Sequence, residues 1–181
     1  MTTEPRYVSR REIARLIFFT FLLSFIAARV MVILIMARKV PDLFLHMGDT
    51  HVHHLNYGIF LLSTVGAYLL FQRPQGRALK IVAVLYAFAL ALTFDEFGMW
   101  LHLGGSYWQR ASFDAVVVIA AMLAMLAFAP SLKRARSLDA WEFAVALLAI
   151  AGFFYVWTKS FAYAKDRVVP HLLRMEQSGP R

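Results

Sequence analysis

The sequence predicts an all-α, polytopic membrane helix bundle of about five transmembrane helices, and three observations carry that reading. Hydrophobic residues make up 60% of the 181-residue chain and aromatic residues 15%, with a mean hydropathy of +0.60, well above the apolar share of a soluble domain. So short a water-soluble chain has too much surface to cover with so few polar residues. Five apolar segments come close to the ~20 residues that a helix needs to cross about 30 Å of hydrocarbon. The connections between them are mostly short, with turn-forming residues and cations.

The first segment, 13–37, follows a basic stretch, 1–12, and is interrupted only by Arg15 at its edge and Arg29 within it. It is too long for the apolar region of a signal peptide and runs into Arg38 without a small-residue cleavage site, so it reads as a retained helix. The connection "RKVPDLFLHMGDTHVH" is the longest and suits a path partly along the membrane surface. The second segment, 54–71, begins among histidines. "QRPQGRALK" supplies the breakers before the third, 81–101, which holds Asp95 and Glu96. A glycine turn with interfacial aromatics, "HLGGSYWQR", leads to the fourth, 113–129, closed by Pro130. "PSLKRARSLD" leads to the fifth, 141–164, and 165–181 is a polar tail. With no internal repeat or second domain visible, 13–164 reads as one bundle.

Lys and Arg set the expected orientation. Arg6, Arg10, Arg11 and Arg15 flank the start of the first helix, Arg73, Arg77 and Lys80 lie between the second and third, and Lys133, Arg134 and Arg136 between the fourth and fifth. The alternate loops carry fewer cations, which places the N-terminus in the cytoplasm. The cationic tail, with Lys165, Arg167 and Arg174, is the one vote against this. The formal charge of +8 thus reflects topology and attraction to anionic lipid, not nucleic acid. The absence of cysteine excludes disulfides, thiolate metal sites and iron–sulfur clusters, so any metal is held by nitrogen and oxygen.

On that map the unusual polar residues gather at one membrane face, the extracytoplasmic one. His46, Asp49, His51, His53 and His54 lie at the start of the second helix. Asp95, Glu96 and His102 lie late in the third or just after it, and Tyr107, Trp108, Arg110 and Asp114 before or at the start of the fourth. Arg29 sits towards the same side. The cytoplasmic loops hold none of the six histidines. A charged group inside a span costs at least ~2–3 kcal/mol, so Asp95 and Glu96 require a compensating partner or a function. In an unbroken third helix, Asp95 and His102 share a face with Gly98 close to the same stripe, while Glu96 points about 100° away.

Imidazoles and carboxylates converging from three helices suit a divalent metal, zinc first, with iron or manganese as alternatives. The expected ligands come from His51, His53, His54, Asp95, His102 and Asp114. Glu96 or Asp95 is the expected general base or acid, with Arg110, Tyr107 and Trp108 available to a substrate. Each has a structural alternative. The histidines suit a helix start, Arg110 and Asp114 suit an ion pair four residues apart, and Tyr107 and Trp108 suit the interfacial aromatic belt. Met31, Met36, Met99, Met122 and Met125 read as packing.

At "HVHHLNYGIFLL", "LTFDEFGMWLHL" and "YWQRASFDAVVV" the chain resembles a group of small bacterial integral-membrane proteins. In that group an HxHH-like start to a span, an LDEFALWL-like segment and a YW…R.S.DA segment recur in this order. The resemblance covers the second to fourth helices, roughly half of the chain. It implies a bacterial source and a single unit made of the three segments, and it carries no established activity. The HxxHH boxes of membrane desaturases, the HExxH of zinc proteases and the GxSG of rhomboid proteases are absent.

The leading expectation is therefore an intramembrane metal-dependent hydrolase of the bacterial inner membrane, acting on a lipid or lipid-linked substrate near the outer leaflet. A proton- or cation-coupled transporter is the alternative. A non-catalytic accessory subunit, its polar cluster a hydrogen-bond network, is the third. Membrane lipids are the expected partners, and a bundle this small suits a homo-oligomer.

Overall fold

The computed structural model describes residues 8–41, 45–47, 50–101, 108, 110–128 and 168–178, together with positions 148, 155, 158, 159 and 162. Helix α1 (Arg10–Met36) starts at a capping sequence, "SRRE", in which the Ser9 hydroxyl accepts from the Glu12 amide at 3.1 Å. It ends in a two-bond turn, the Lys39 amide donating to the Leu34 carbonyl and the Arg38 amide to that of Ile35, both at 2.9 Å. A short antiparallel hairpin follows, β1 (Leu45–Met47) against β2 (Thr50–Val52), with His46 opposite His51. The connection expected along the membrane surface thus contains a turn of sheet immediately before α2 (His54–Phe71).

Helix α3 (Gly76–Asp95) corrects the third expected span. It begins five residues earlier than 81 and does not run on to 101. Glu96 leaves the helical region at φ −104, ψ 15, and a separate short helix, α4 (Phe97–Leu101), starts behind it. The break has a physical reason: it frees consecutive carboxylates from a fixed 100° offset, so that both reach partners on neighbouring helices. The unbroken helix on which Asp95 and His102 were expected to share a face is thus absent at Glu96, and His102 itself lies outside the described residues. Helix α5 (Arg110–Phe128) completes this part of the chain.

The chain is an all-α bundle and an integral membrane protein: α1, α2, α3 and most of α5 are each long and apolar enough to cross a bilayer. The described residues up to 128 form one compact unit. Its large apolar side chains point outwards as readily as inwards, with Leu70, Phe71 and Phe60 from 74% to 84% exposed, as suits a surface solvated by lipid. Helix α3 is the centre, packing on α1 and α2, while α1 also packs on α5. Ala83, Ala87 and Ala91, four residues apart and buried, let neighbouring backbones come close. Phe21 of α1 clusters with Ala87, Leu90 and Ala91 of α3 and with Val116 and Leu123 of α5.

The α2–α3 crossing depends on Gly58. A Cβ there would stand 2.7 Å from the Thr93 amide nitrogen and 2.8 Å from the Ala89 carbonyl oxygen. Backbone atoms cannot swing away, so Gly58→Val is expected to force the helices apart at a cost of about 1–3 kcal/mol. The loss is read as a lower unfolding temperature in mild detergent, and an unchanged one would show that the crossing is looser than these distances.

Residues 129–178 form the second unit. The expected fifth span, 141–164, lies outside the described residues except at Leu148, Tyr155, Thr158, Lys159 and Ala162, all helical. Helix α6 (Val169–Ser178) lies in the expected tail.

Candidate functional site

Alternating helix directions bring the end of α1, the start of α2 and the end of α3 together, and there Arg29, Asp95 and Glu96 meet. Asp95 and Glu96 are 0% and 1% exposed and Arg29 is 7% exposed. The Arg29 guanidinium donates through Nε to Asp95 Oδ1 and through Nη2 to the Asp95 main-chain carbonyl. That two-pronged contact holds the last residue of α3 against α1 and uses the fork geometry of arginine. Three rings surround the same cation: Phe113 at 4.8 Å, Phe25 at 5.6 Å and Trp108 at 5.8 Å from centroid to guanidinium carbon.

The other Asp95 oxygen, Oδ2, lies 2.8 Å from His54 Nε2. Glu96 faces the start of α2. Its Oε2 accepts from the Leu55 amide at 3.0 Å, and its Oε1 lies 3.2 Å from His53 Nδ1 and 3.4 Å from His54 Nδ1. His53 is the residue before α2 and makes no side-chain cap of its own. Glu96 therefore supplies, from another helix, the acceptor that the first turn of α2 lacks, and its charge suits that helix end. Ser112, 1% exposed, ties α4 to α5 by accepting from the Gly98 amide at 2.8 Å. Ser112→Ala is expected to strand that amide and to cost about 1–3 kcal/mol, seen as earlier thermal unfolding.

The residues thus form two linked imidazole–carboxylate pairs. His53–Glu96 lies nearer the surface, its imidazole 33% exposed. His54–Asp95 lies deeper and is backed by Arg29. His54 lies beside a carboxylate oxygen at each of its ring nitrogens and so bridges the two acids.

Of the residues expected to make the site, the structure brings together His53, His54, Asp95, Glu96 and Trp108. Trp108 is buried against Arg29 and so shapes the site from inside. Asp114 is half-buried near the start of α5, and the side chains of His51, His102, Tyr107 and Arg110 lie outside the described residues. Among the described residues no three His, Asp or Glu side chains converge as a metal-ligand set. Asp95 has its oxygens on a guanidinium and an imidazole, where a dication would meet the Arg29 charge. The described side chains pair imidazole with carboxylate and carboxylate with guanidinium. Arg29 is the participant not expected among the site residues; its signal was a lone cation inside an apolar span whose depth matched that of two acids.

No protein-family model matches the chain, and comparison with curated proteins and with solved structures finds no match.

Proposed function

We propose that the chain is a membrane-embedded hydrolase that uses His53 and Glu96 as a general acid–base pair on a lipid or lipid-linked ester at the extracytoplasmic face of a bacterial inner membrane. The supporting observation is the division of labour in that pair: a part-exposed imidazole backed by a buried carboxylate, which the Leu55 amide fixes in place. A buried carboxylate that orients an imidazole is the arrangement by which histidine serves as base and then as acid. His53 takes a proton from water as the water oxygen bonds to the ester carbonyl carbon, and returns it to the alkoxide as the ester C–O bond breaks. No step is assigned to zinc, iron or manganese. Sidedness rests on the distribution of Lys and Arg between loops.

The purified protein is expected to release fatty acid from vesicles of phosphatidylethanolamine and phosphatidylglycerol. His53→Ala should lower the rate by about 10²–10⁴-fold while leaving the unfolding temperature close to that of the parent. Chelator treatment should leave the rate unchanged. A rate no higher than that of protein-free vesicles removes the hydrolase reading, and a rate lost on chelation and restored by zinc returns the metal to it.

Proton-coupled transport is the second reading, favoured by His54 standing between two carboxylates. Against it, the hydroxyls of Ser63, Thr64 and Thr93 are bonded to the carbonyls of Ile59, Phe60 and Ala89 within their own helices. Proton flux into sealed vesicles, driven by a cation gradient and lost in His54→Ala, is the result that would favour it.

A further inference from the structure

At the opposite end of the bundle α2 and α3 part to leave an apolar groove of about 360 Å³, lined by Leu61, Thr64, Tyr68, Ala78, Ile81 and Leu85 among others, a volume typical of small-molecule sites. From Leu61 to Tyr68 it follows α2 for about 10 Å, most of the roughly 15 Å depth of one leaflet's hydrocarbon. The Thr64 hydroxyl is bonded to the Phe60 carbonyl, which leaves the wall to methylene and methyl groups. Tyr68 lines the end nearest the loop 72–75, a level that suits an aromatic hydroxyl at the membrane interface.

Arg73 and Arg77 flank that loop end. Both are exposed, and among the described residues neither makes an ion pair. Lys80, one turn further on, is instead paired with Glu12 of α1. We infer that this groove binds an anionic phospholipid, one acyl chain along α2 and α3 and the phosphate on Arg73 and Arg77. Guanidinium forks match phosphate oxygens two at a time. A zwitterionic lipid with the same chains fills the groove equally well, but its ammonium group offsets the phosphate, so net headgroup charge is what the two arginines select. The inference is independent of the hydrolase reading, since none of these residues belongs to the acid–base cluster.

The test is native mass spectrometry of the full chain in neutral detergent, titrated with phosphatidylglycerol and, separately, with phosphatidylcholine of identical acyl chains. One phosphatidylglycerol per chain is expected to bind about tenfold or more tightly than phosphatidylcholine, a difference of roughly 1.4 kcal/mol. The double variant Arg73→Gln/Arg77→Gln should bind the two lipids alike. Ala78→Phe, which puts a ring into the groove, should weaken both. Thermal unfolding of the lipid-free variants establishes that each is folded. Equal affinity of the parent for the two lipids, a preference that survives in the double variant, or binding unaffected by Ala78→Phe overturns the inference.

Discussion

Replacing Arg29 with methionine is expected to cost about 3–5 kcal/mol, the scale for removing one partner of a buried ion pair. The loss arises less from the missing attraction than from what stays behind. Asp95 is 0% exposed, and without the guanidinium its Oδ1 and its main-chain carbonyl lose their donors together. Three aromatic rings packed around a cation would then surround an aliphatic chain beside a carboxylate. Arg29→Lys should recover only part of the loss, because one ammonium does not reproduce two parallel N–H contacts on the side chain and main chain of one residue. The informative partner is Asp95→Asn, which removes the charge and keeps the shape. If the pair acts as described, Arg29→Met/Asp95→Asn is more stable than Arg29→Met alone, and the two changes are strongly non-additive in thermal unfolding. Additive losses would mean that Arg29 stabilises the bundle by packing and that Asp95 has another cation.

The bundle was legible because lipid imposes a length and a composition on each span. The second span, 54–71, coincides with α2, and the first and fourth differ from α1 and α5 by one to three residues at each end. The third failed at Glu96 for a reason outside local sequence: no helix breaker precedes it, and the chain turns because two adjacent carboxylates are held by α1 and α2. The gathering of Asp95, Glu96, His53 and His54 at one end was readable from depth alone, since alternating spans return to the same face. Their pairing was not. Depth pointed to imidazoles and carboxylates converging at one end, but did not single out Arg29, equally visible as a cation in an apolar stretch, as the partner of Asp95. A buried acid in a span is more economically matched by a cation the chain already carries at that depth.

Glu96→Ala and Glu96→Gln are expected to separate in stability and to coincide in activity. The alanine variant leaves the Leu55 amide without its acceptor in a buried helix start, removes a negative charge from the end of α2 where the helix dipole favours one, and strands two imidazoles. On the first two terms it should lose about 2–4 kcal/mol. The glutamine variant keeps a carbonyl oxygen in reach of Leu55, so the cap survives and the loss should be nearer ~1 kcal/mol. Its amide carries no charge to set against the imidazole of His53 when that ring takes up a proton in the reaction, and one of the two negative charges beside Arg29 is gone. Hydrolysis should therefore be lost in both variants, by about 10²-fold or more, although one of them is almost as stable as the parent. That split separates a working acid–base pair from a hydrogen-bond network that only holds helices together. A purely structural Glu96 predicts that activity follows stability, with the glutamine variant nearly as active as the parent, and that result would reassign the whole cluster to the scaffold.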